Sequence, residues 1–318
     1  MGRQEWAIVG GGRWGRVLTS VATEVMPTDS AVWLVTAHNR PVVNDWLSQQ
    51  PARLRDRIRI ASDIDDVLGR TEIDAVLVAN RASQHAETAR QALEAGKHVF
   101  VEKPLTLEVW AAEEMIALAA KVERVLVVGL VLMFASYLKR LRDFVGSGKI
   151  DSLSIDWEDA SAEKRHGGIK KFDTGITVAQ DVIPHIWSIL NVLRPASQWT
   201  VSEAKVETSR ADISLSDGRT SAIIRLRRGG ERRVRLMKMQ LASGRALSFD
   251  FSTEPGELTV DGQPVEFDTG WADAPRPVFA ELDAFRASLG GGAAPAHAAH
   301  RCLDSVRLAA AIEDRARL

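Results

Sequence analysis

A strand, a glycine turn and a helix near the start of the chain constrain its fold more than any other feature. Trp6-Ala7-Ile8-Val9 is a short apolar run, and Gly10-Gly11-Gly12-Arg13-Trp14-Gly15 follows it. An amphipathic stretch comes next, with Val17, Leu18, Val21 and Val25 on its apolar face. In that setting the spacing Gly10-x-Gly12-x-x-Gly15 fits a dinucleotide-binding turn. Gly10 allows the tight turn, Gly12 lets a pyrophosphate approach the backbone, and Gly15 lets helix and strand pack closely. The helix N-terminus offers amide donors and a partial positive charge to phosphates. A glycine-rich turn that holds no ligand is the plainer alternative.

The pattern then alternates. Ala31 to Ala37 reads as a second strand, and it ends in Thr36-Ala37-His38-Asn39-Arg40 with no acid to take ribose hydroxyls. Arg40 and the neutral polar groups before it suit a 2′-phosphate, so NADP is expected, with NAD as the alternative. Ile58-Arg59-Ile60 is a short strand, Asp63 to Leu68 a short helix, and Asp74 to Asn80 a strand buried on both faces. Ser83 is placed as the N-cap of a helix that runs to Gly96. His98 to Val101 is a strand that stops at Glu102-Lys103-Pro104, Leu107 to Lys121 a helix, and Val125 to Leu132 a last strand. Alternating strands and helices imply βαβ units and a parallel sheet. Ligands bind outside the carboxyl ends of such strands, which puts Lys103 within reach of chemistry. Pro104 restricts the residue before it and so sets the direction in which Lys103 leaves the strand.

The chain resembles the Gfo/Idh/MocA oxidoreductases. The resemblance rests on the N-terminal glycine turn and on Asp74-Ala75-Val76-Leu77-Val78-Ala79 with His85-Ala86-Glu87 after it. It rests most on Ala92-Leu93-Glu94-Ala95-Gly96-Lys97-His98-Val99-Phe100-Val101-Glu102-Lys103-Pro104. It implies that Lys103 lies beside nicotinamide and substrate, and that the bond before Pro104 is often cis. Asn80-Arg81-Ala82 stands where members commonly have Thr-Pro-Asn. The candidate cofactor-binding residues are Gly10, Gly12, Arg13, Trp14 and Gly15, then His38, Asn39 and Arg40, then Asn80, His85 and Glu102.

After Leu132 the pattern changes, so residues 1–132 are expected to form a Rossmann domain. Residues 133–318 then form an α+β substrate and oligomerisation domain with a large, mostly antiparallel sheet, its last helices packing back on the first domain. Ser136 to Val145 reads as a helix, Leu153-x-Ile155-x-Trp157 as a strand, and Ser161 to Thr174 as a polar loop. Asp181 and His185 are four apart and share a helix face, a pair suited to proton transfer. Without the resemblance, a helix-start aspartate and a packed histidine would be the simpler reading. The family carries an Asp-x-x-x-His motif here, which makes Lys103, His185 and Asp181 the catalytic candidates. Pro184 suggests that the helix begins near it.

From Val201 strands are joined by turns at Asp217-Gly218, Gly229-Gly230 and Asp261-Gly262. A change of phase between Leu236 and Met237 suggests a bulge. The arginines Arg225, Arg227, Arg228, Arg232, Arg233 and Arg235 read as the solvated face of strands. Pro277 to Leu289 and His300 to Arg317 are expected helices. By resemblance the sheet's open face makes a homo-oligomer.

With 45% apolar residues and a net charge of −1, the chain advertises neither nucleic acid nor a membrane as partner. Cys302 is the single cysteine, which excludes an internal disulfide or a cysteine-based metal site and fits a cytoplasmic protein. No metal is expected. The function read is hydride transfer between nicotinamide and a C–OH/C=O centre of a sugar-, cyclitol- or metabolite-like small molecule. Reduction of a C=N or C=C bond is the alternative, kept open by the apolar run Leu130-Val131-Leu132-Met133-Phe134. A non-catalytic dinucleotide sensor is the third reading.

Overall fold

The computed structural model describes residues 4–146, 148–162, 164–165, 168–169, 172–291 and 293–318. The first elements are β1 (Glu5–Val9), α1 (Arg13–Val25), β2 (Val32–Val35), α2 (Arg40–Ser48), α3 (Ala52–Arg55), β3 (Ile58–Ala61) and α4 (Asp65–Leu68). They continue with β4 (Ile73–Val78), α5 (His85–Glu94), β5 (His98–Glu102), α6 (Val109–Lys121), β6 (Leu126–Gly129) and α7 (Ser136–Val145). Next come β7 (Ile150–Ala160), the short strands β8 (Lys164–Arg165) and β9 (Gly168–Ile169), and α8 (Val178–Leu193). The remaining strands are β10 (Thr200–Val206), β11 (Arg210–Ser216), β12 (Ser221–Gly230), β13 (Val234–Leu241), β14 (Ala246–Asp250), β15 (Glu257–Val260) and β16 (Gln263–Val265). Two helices close the chain, α9 (Pro277–Ser288) and α10 (Ala299–Ala316). Two compact units form: Met1–Leu130 with Val278–Val306, and Val131–Pro277 with Arg307–Leu318.

In the first unit six parallel strands run in the order β3-β2-β1-β4-β5-β6. The order reverses beside β1 and β4, which opens a crevice at their carboxyl ends. The strands can be nearly continuous apolar runs because helices cover both faces. Trp6, Ile8, Leu77 and Phe100 are all fully buried. The chain returns to this unit through α9. Phe285 meets Trp6 at 5.4 Å and Phe100 at 5.9 Å between ring centroids. The segment before α10 then extends the sheet edge, with Val127 bridging Ala298 and the Val128 amide donating to the His297 carbonyl at 2.9 Å.

Two expectations shift here. The last strand stops at Gly129, not Leu132. The Leu130 amide turns back to the Val128 carbonyl at 2.9 Å, and Val131–Phe134 form a single 3-10 turn. Ser83 is not an N-cap either. It lies inside a 3-10 turn at Ala82–Gln84, and α5 starts at His85 without a side-chain cap.

In the second unit eight strands run in the order β10-β11-β12-β7-β13-β14-β15-β16. Only β7 and β12 pair in parallel. Along β12 burial alternates, with Ala222, Ile224 and Leu226 inward and Ser221, Ile223 and Arg225 outward. The helix α8 packs over β11 and β12. It begins well before Pro184, because Thr177 and Gln180 form a reciprocal capping box. Thr177 Oγ1 accepts from the Gln180 amide at 3.1 Å, and Gln180 Oε1 from the Thr177 amide at 3.0 Å. Pro184 therefore lies inside the helix, where it withholds the amide that would bond the Gln180 carbonyl.

The expected bulge between Leu236 and Met237 is absent. There β13 pairs with β7 and β14 in unbroken register, and its buried face is Arg235, Met237, Met239 and Leu241. The arginines correct the sequence reading as well: Arg235 is 2% exposed, and the Arg228 side chain 4%. The polar loop expected from Ser161 to Thr174 falls partly outside the described residues. Among the described residues no helix is long and apolar enough to cross a membrane.

Candidate active site

The glycine turn is built for close approach. Gly10 has φ +129°, and a Cβ there would come within 2.5 Å of the Ala79 carbonyl oxygen. A Cβ on Gly15 would overlap the Gly10 carbonyl oxygen. Gly12 differs, with nothing within 4 Å of where its Cβ would stand. It is the N-cap of α1 and supplies no side-chain acceptor, so the first-turn amides are not taken by a cap. Arg13 and Trp14 are half-buried beside it. Open space in front of uncapped amides fits a pyrophosphate.

At the next strand end, Thr36 is buried and its Oγ1 accepts from the Asn39 amide at 3.3 Å. His38, Asn39 and Arg40 are exposed. Arg40 Nη1 donates to Ser62 Oγ at 2.7 Å. A guanidinium beside a hydroxyl, with no carboxylate from Thr36 to Arg40, fits a phosphate better than a ribose diol.

The ends of β4 and β5 are tied together. Asn80 Nδ2 donates to Thr88 Oγ1 at 2.8 Å, while its Oδ1 is buried without a partner among the described residues. His85 is 2% exposed, and its Nδ1 lies 2.7 Å from the Pro104 carbonyl. A carbonyl only accepts, so Nδ1 carries the proton. The Lys103-Pro104 bond is cis. Glu102 Oε2 accepts from the Lys103 amide at 3.3 Å, and the Trp14 indole sits against the same carboxyl. Burial pushes the Glu102 carboxyl up to about 7, against the pull of Trp14 and the Lys103 charge. Lys103 itself is half-buried. Thus Gly10, Gly12, Trp14, Gly15, Asn80, His85, Glu102 and Lys103 gather at neighbouring strand ends, and Arg40 stands one strand further out.

Asp181 and His185 belong to the second unit, on α8. The His185 ring stacks on Trp157 at 5.4 Å with an interplanar angle of 16°. Arg235 lies on Trp157 as well, its guanidinium carbon 3.6 Å from the ring centroid, and it pairs with the buried Asp159. Asp181 Oδ2 accepts from Arg228 Nη2 at 3.0 Å. Arg228 also donates to the carbonyls of Asp173 at 3.1 Å, Ile176 at 3.0 Å and Thr177 at 3.1 Å. The sequence reading missed Trp157 and Arg228 as neighbours of the pair. Only Thr177-x-x-Gln180, a capping-box spacing, could have placed the start of α8.

Comparison with known proteins comes down on the same side. Residues 5–130 match a family model described as "Oxidoreductase family, NAD-binding Rossmann fold". The Escherichia coli protein named uncharacterized oxidoreductase YhhX is 42% identical over 71 residues, 22% of this chain and 21% of its own length. A Saccharopolyspora spinosa dTDP-3,4-didehydro-2,6-dideoxy-alpha-D-glucose 3-reductase is 29% identical over 191 residues, 55% of this chain and 57% of its own. Each of these matches spans less than two-thirds of the relative. Among solved structures, KijD10, a 3-ketoreductase from Actinomadura kijaniata in complex with NADP and TDP-benzene, superposes with a TM-score of 0.80. The identity is 16%, and 98% of each chain is covered. UDP-N-acetylglucosamine 3-dehydrogenase GnnA from Acidithiobacillus ferrooxidans gives 0.75 at 20% identity over 99% of each chain. These likenesses show the fold.

Proposed function

This chain belongs to the Gfo/Idh/MocA oxidoreductase family through residues 5–130, and from that premise we propose that it is an NADP-using oxidoreductase. Its substrate in this reading is a sugar-like small molecule, converted at a C–OH/C=O carbon. The observation that carries the proposal is Lys103, half-buried at the end of β5 beside a Glu102 carboxyl that also meets Trp14 of the glycine turn. When bound, the nicotinamide supplies or accepts the hydride. Lys103 gives the proton to the reacting oxygen, or takes it in the reverse direction. His85 and Glu102 hold the backbone on either side of Lys103. His185 is a second proton-handling residue, its ring kept in one plane by Trp157, and Asp181 supports it while anchored by Arg228. The open sheet face around Ile223, Arg225 and Lys238 serves a homo-oligomer.

Sugar chemistry is favoured because three similar proteins are named for a 3-keto or 3-hydroxyl reaction on a sugar or as a 3-ketoreductase. One observation favours the C=N or C=C alternative. Val131 and Phe134, both half-buried, bring no hydroxyl-binding groups to the turn after β6.

The test is turnover of NADPH and NADH with nucleotide-linked keto sugars, free sugars, cyclitols and imines. Lys103→Ala is expected to lower kcat about 100-fold or more while NADPH still binds. Cofactor binding without turnover on any of these, unchanged by the substitution, overturns the proposal in favour of a sensor.

A further inference from the structure

Glu281 is an acid where α9 should be apolar. It is 0% exposed, next to the core residue Leu282 and one helical turn before Phe285. Both of its carboxyl oxygens are buried, and neither makes a hydrogen bond among the described residues. The Leu130 amide also faces this carboxyl and favours its charged form, while donating to the Val128 carbonyl at 2.9 Å. No ion pair reaches Glu281 among the described residues. A bare carboxylate left in that state would be strongly unfavourable.

The groups that face it explain how it is tolerated. Glu102 on β5 is 7% exposed, its Oε1 is buried without a hydrogen-bond partner among the described residues, and the Trp14 indole lies against the carboxyl. Its carboxyl lies flat on Gly129, where a Cβ would come within 2.9 Å of Oε1, and so it sits beside the Leu130 turn that Glu281 also approaches. Cys302 on α10 is the third group, a thiol that burial pushes up to about 12 and so keeps neutral. Lys103 and Trp14 favour charge on Glu102. On Glu281 only the Leu130 amide favours charge, and it is outweighed: burial first, and the Glu102 charge second, raise the carboxyl well above the usual range. Two acceptor-only carboxylates in one dry place repel. One proton between them converts repulsion into a short charge-assisted hydrogen bond.

We propose that Glu281 holds a proton which it donates to the Glu102 carboxylate, and that this acid pair positions the Glu102-Lys103 turn. The positioning half rests on the role given to Lys103 above; the shared proton does not. Glu281 is a positioning residue, acting through Glu102.

Infrared difference spectra of the full chain at neutral pH test the proton directly. The wild type should show a neutral-carboxyl C=O band that shifts in D2O. Glu281→Gln should remove that band with the circular dichroism unchanged, whereas Glu102→Gln should keep it. No such band in the wild type, or its survival in Glu281→Gln, overturns the shared proton. For positioning, Glu281→Gln retains a donor and should stay within about threefold of wild-type kcat, while Glu281→Leu should lose about tenfold or more with little change in KM for NADPH. Equal losses in the two variants overturn positioning. If the chain turns over none of the substrates named above, the infrared result still decides the proton, so the two readings fail separately. If Glu281→Leu does not fold, the infrared comparison and the pH profile of Glu281→Gln decide.

Discussion

Arg40 is the residue on which the proposed NADP preference rests. Its guanidinium is exposed, held by Ser62, and no carboxylate competes for it between Thr36 and the start of α2. Arg40→Ala should weaken NADPH binding about 10- to 100-fold, with NADH changed by no more than about twofold. Equal losses, measured by fluorescence titration of the two cofactors, would mean that Arg40 does not meet a 2′-phosphate. The positions of Arg40 and Lys103 at strand ends were legible because each depends on neighbours in sequence: a strand end, a missing acid, a proline. Glu281 was not. Its meaning comes from Glu102, which the chain reaches only by folding, and a glutamate on a helix reads by default as solvated.

At the level of elements, Arg228 binds the start of α8 to β12. One side chain serves the Asp181 carboxylate and the carbonyls of Asp173, Ile176 and Thr177. Removing it takes one donor from each of those acceptors at once, so Arg228→Ala should destabilise the second unit by about 3–5 kcal/mol. Thermal unfolding checks this, and an unchanged midpoint would show that water replaces the guanidinium. The parallel sheet was read almost element by element, because glycine turns and apolar runs have local causes. The antiparallel sheet was readable as hairpins, but its phase was not. Arg235 occupies an inward position of β13 through its pairing with Asp159, and a rule that sends every arginine to water turns that strand over and invents a bulge. Leu130 to Phe134 misled in the opposite way: apolar residues continue past Gly129, yet the strand ends there because the Leu130 amide turns back.

For the whole molecule, buried titratable groups set how stability follows pH. Burial lowers His98 to about 4, with Arg124 adding to it, and lowers His297 to about 3. The unfolded chain binds those protons first, so this stability is present above about 6.5 and is lost as pH falls. Glu102 and Glu281 are raised, so the native state keeps protons that the unfolded chain releases near 4.5. Their contribution is present at low pH and declines as pH rises. Between about 4.5 and 6.5 the two trends oppose each other; above that the acids act alone. The unfolding midpoint should therefore fall from about pH 6.5 to 8, and Glu281→Gln should flatten that slope. A wild-type midpoint that rises over the interval would contradict the assignment of a neutral Glu281. The first unit is completed by a piece of chain that arrives only after the second unit has been made, since Phe285 closes on Trp6 and Phe100. A chimera that exchanges the second unit among relatives must therefore be cut twice. A fragment ending at Leu130 would lack both the aromatic lid of its own core and the acid that faces Glu102. A ribosome-bound chain of that length would be in the same position, and the half of the protein that carries the glycine turn would mature last although it is synthesised first.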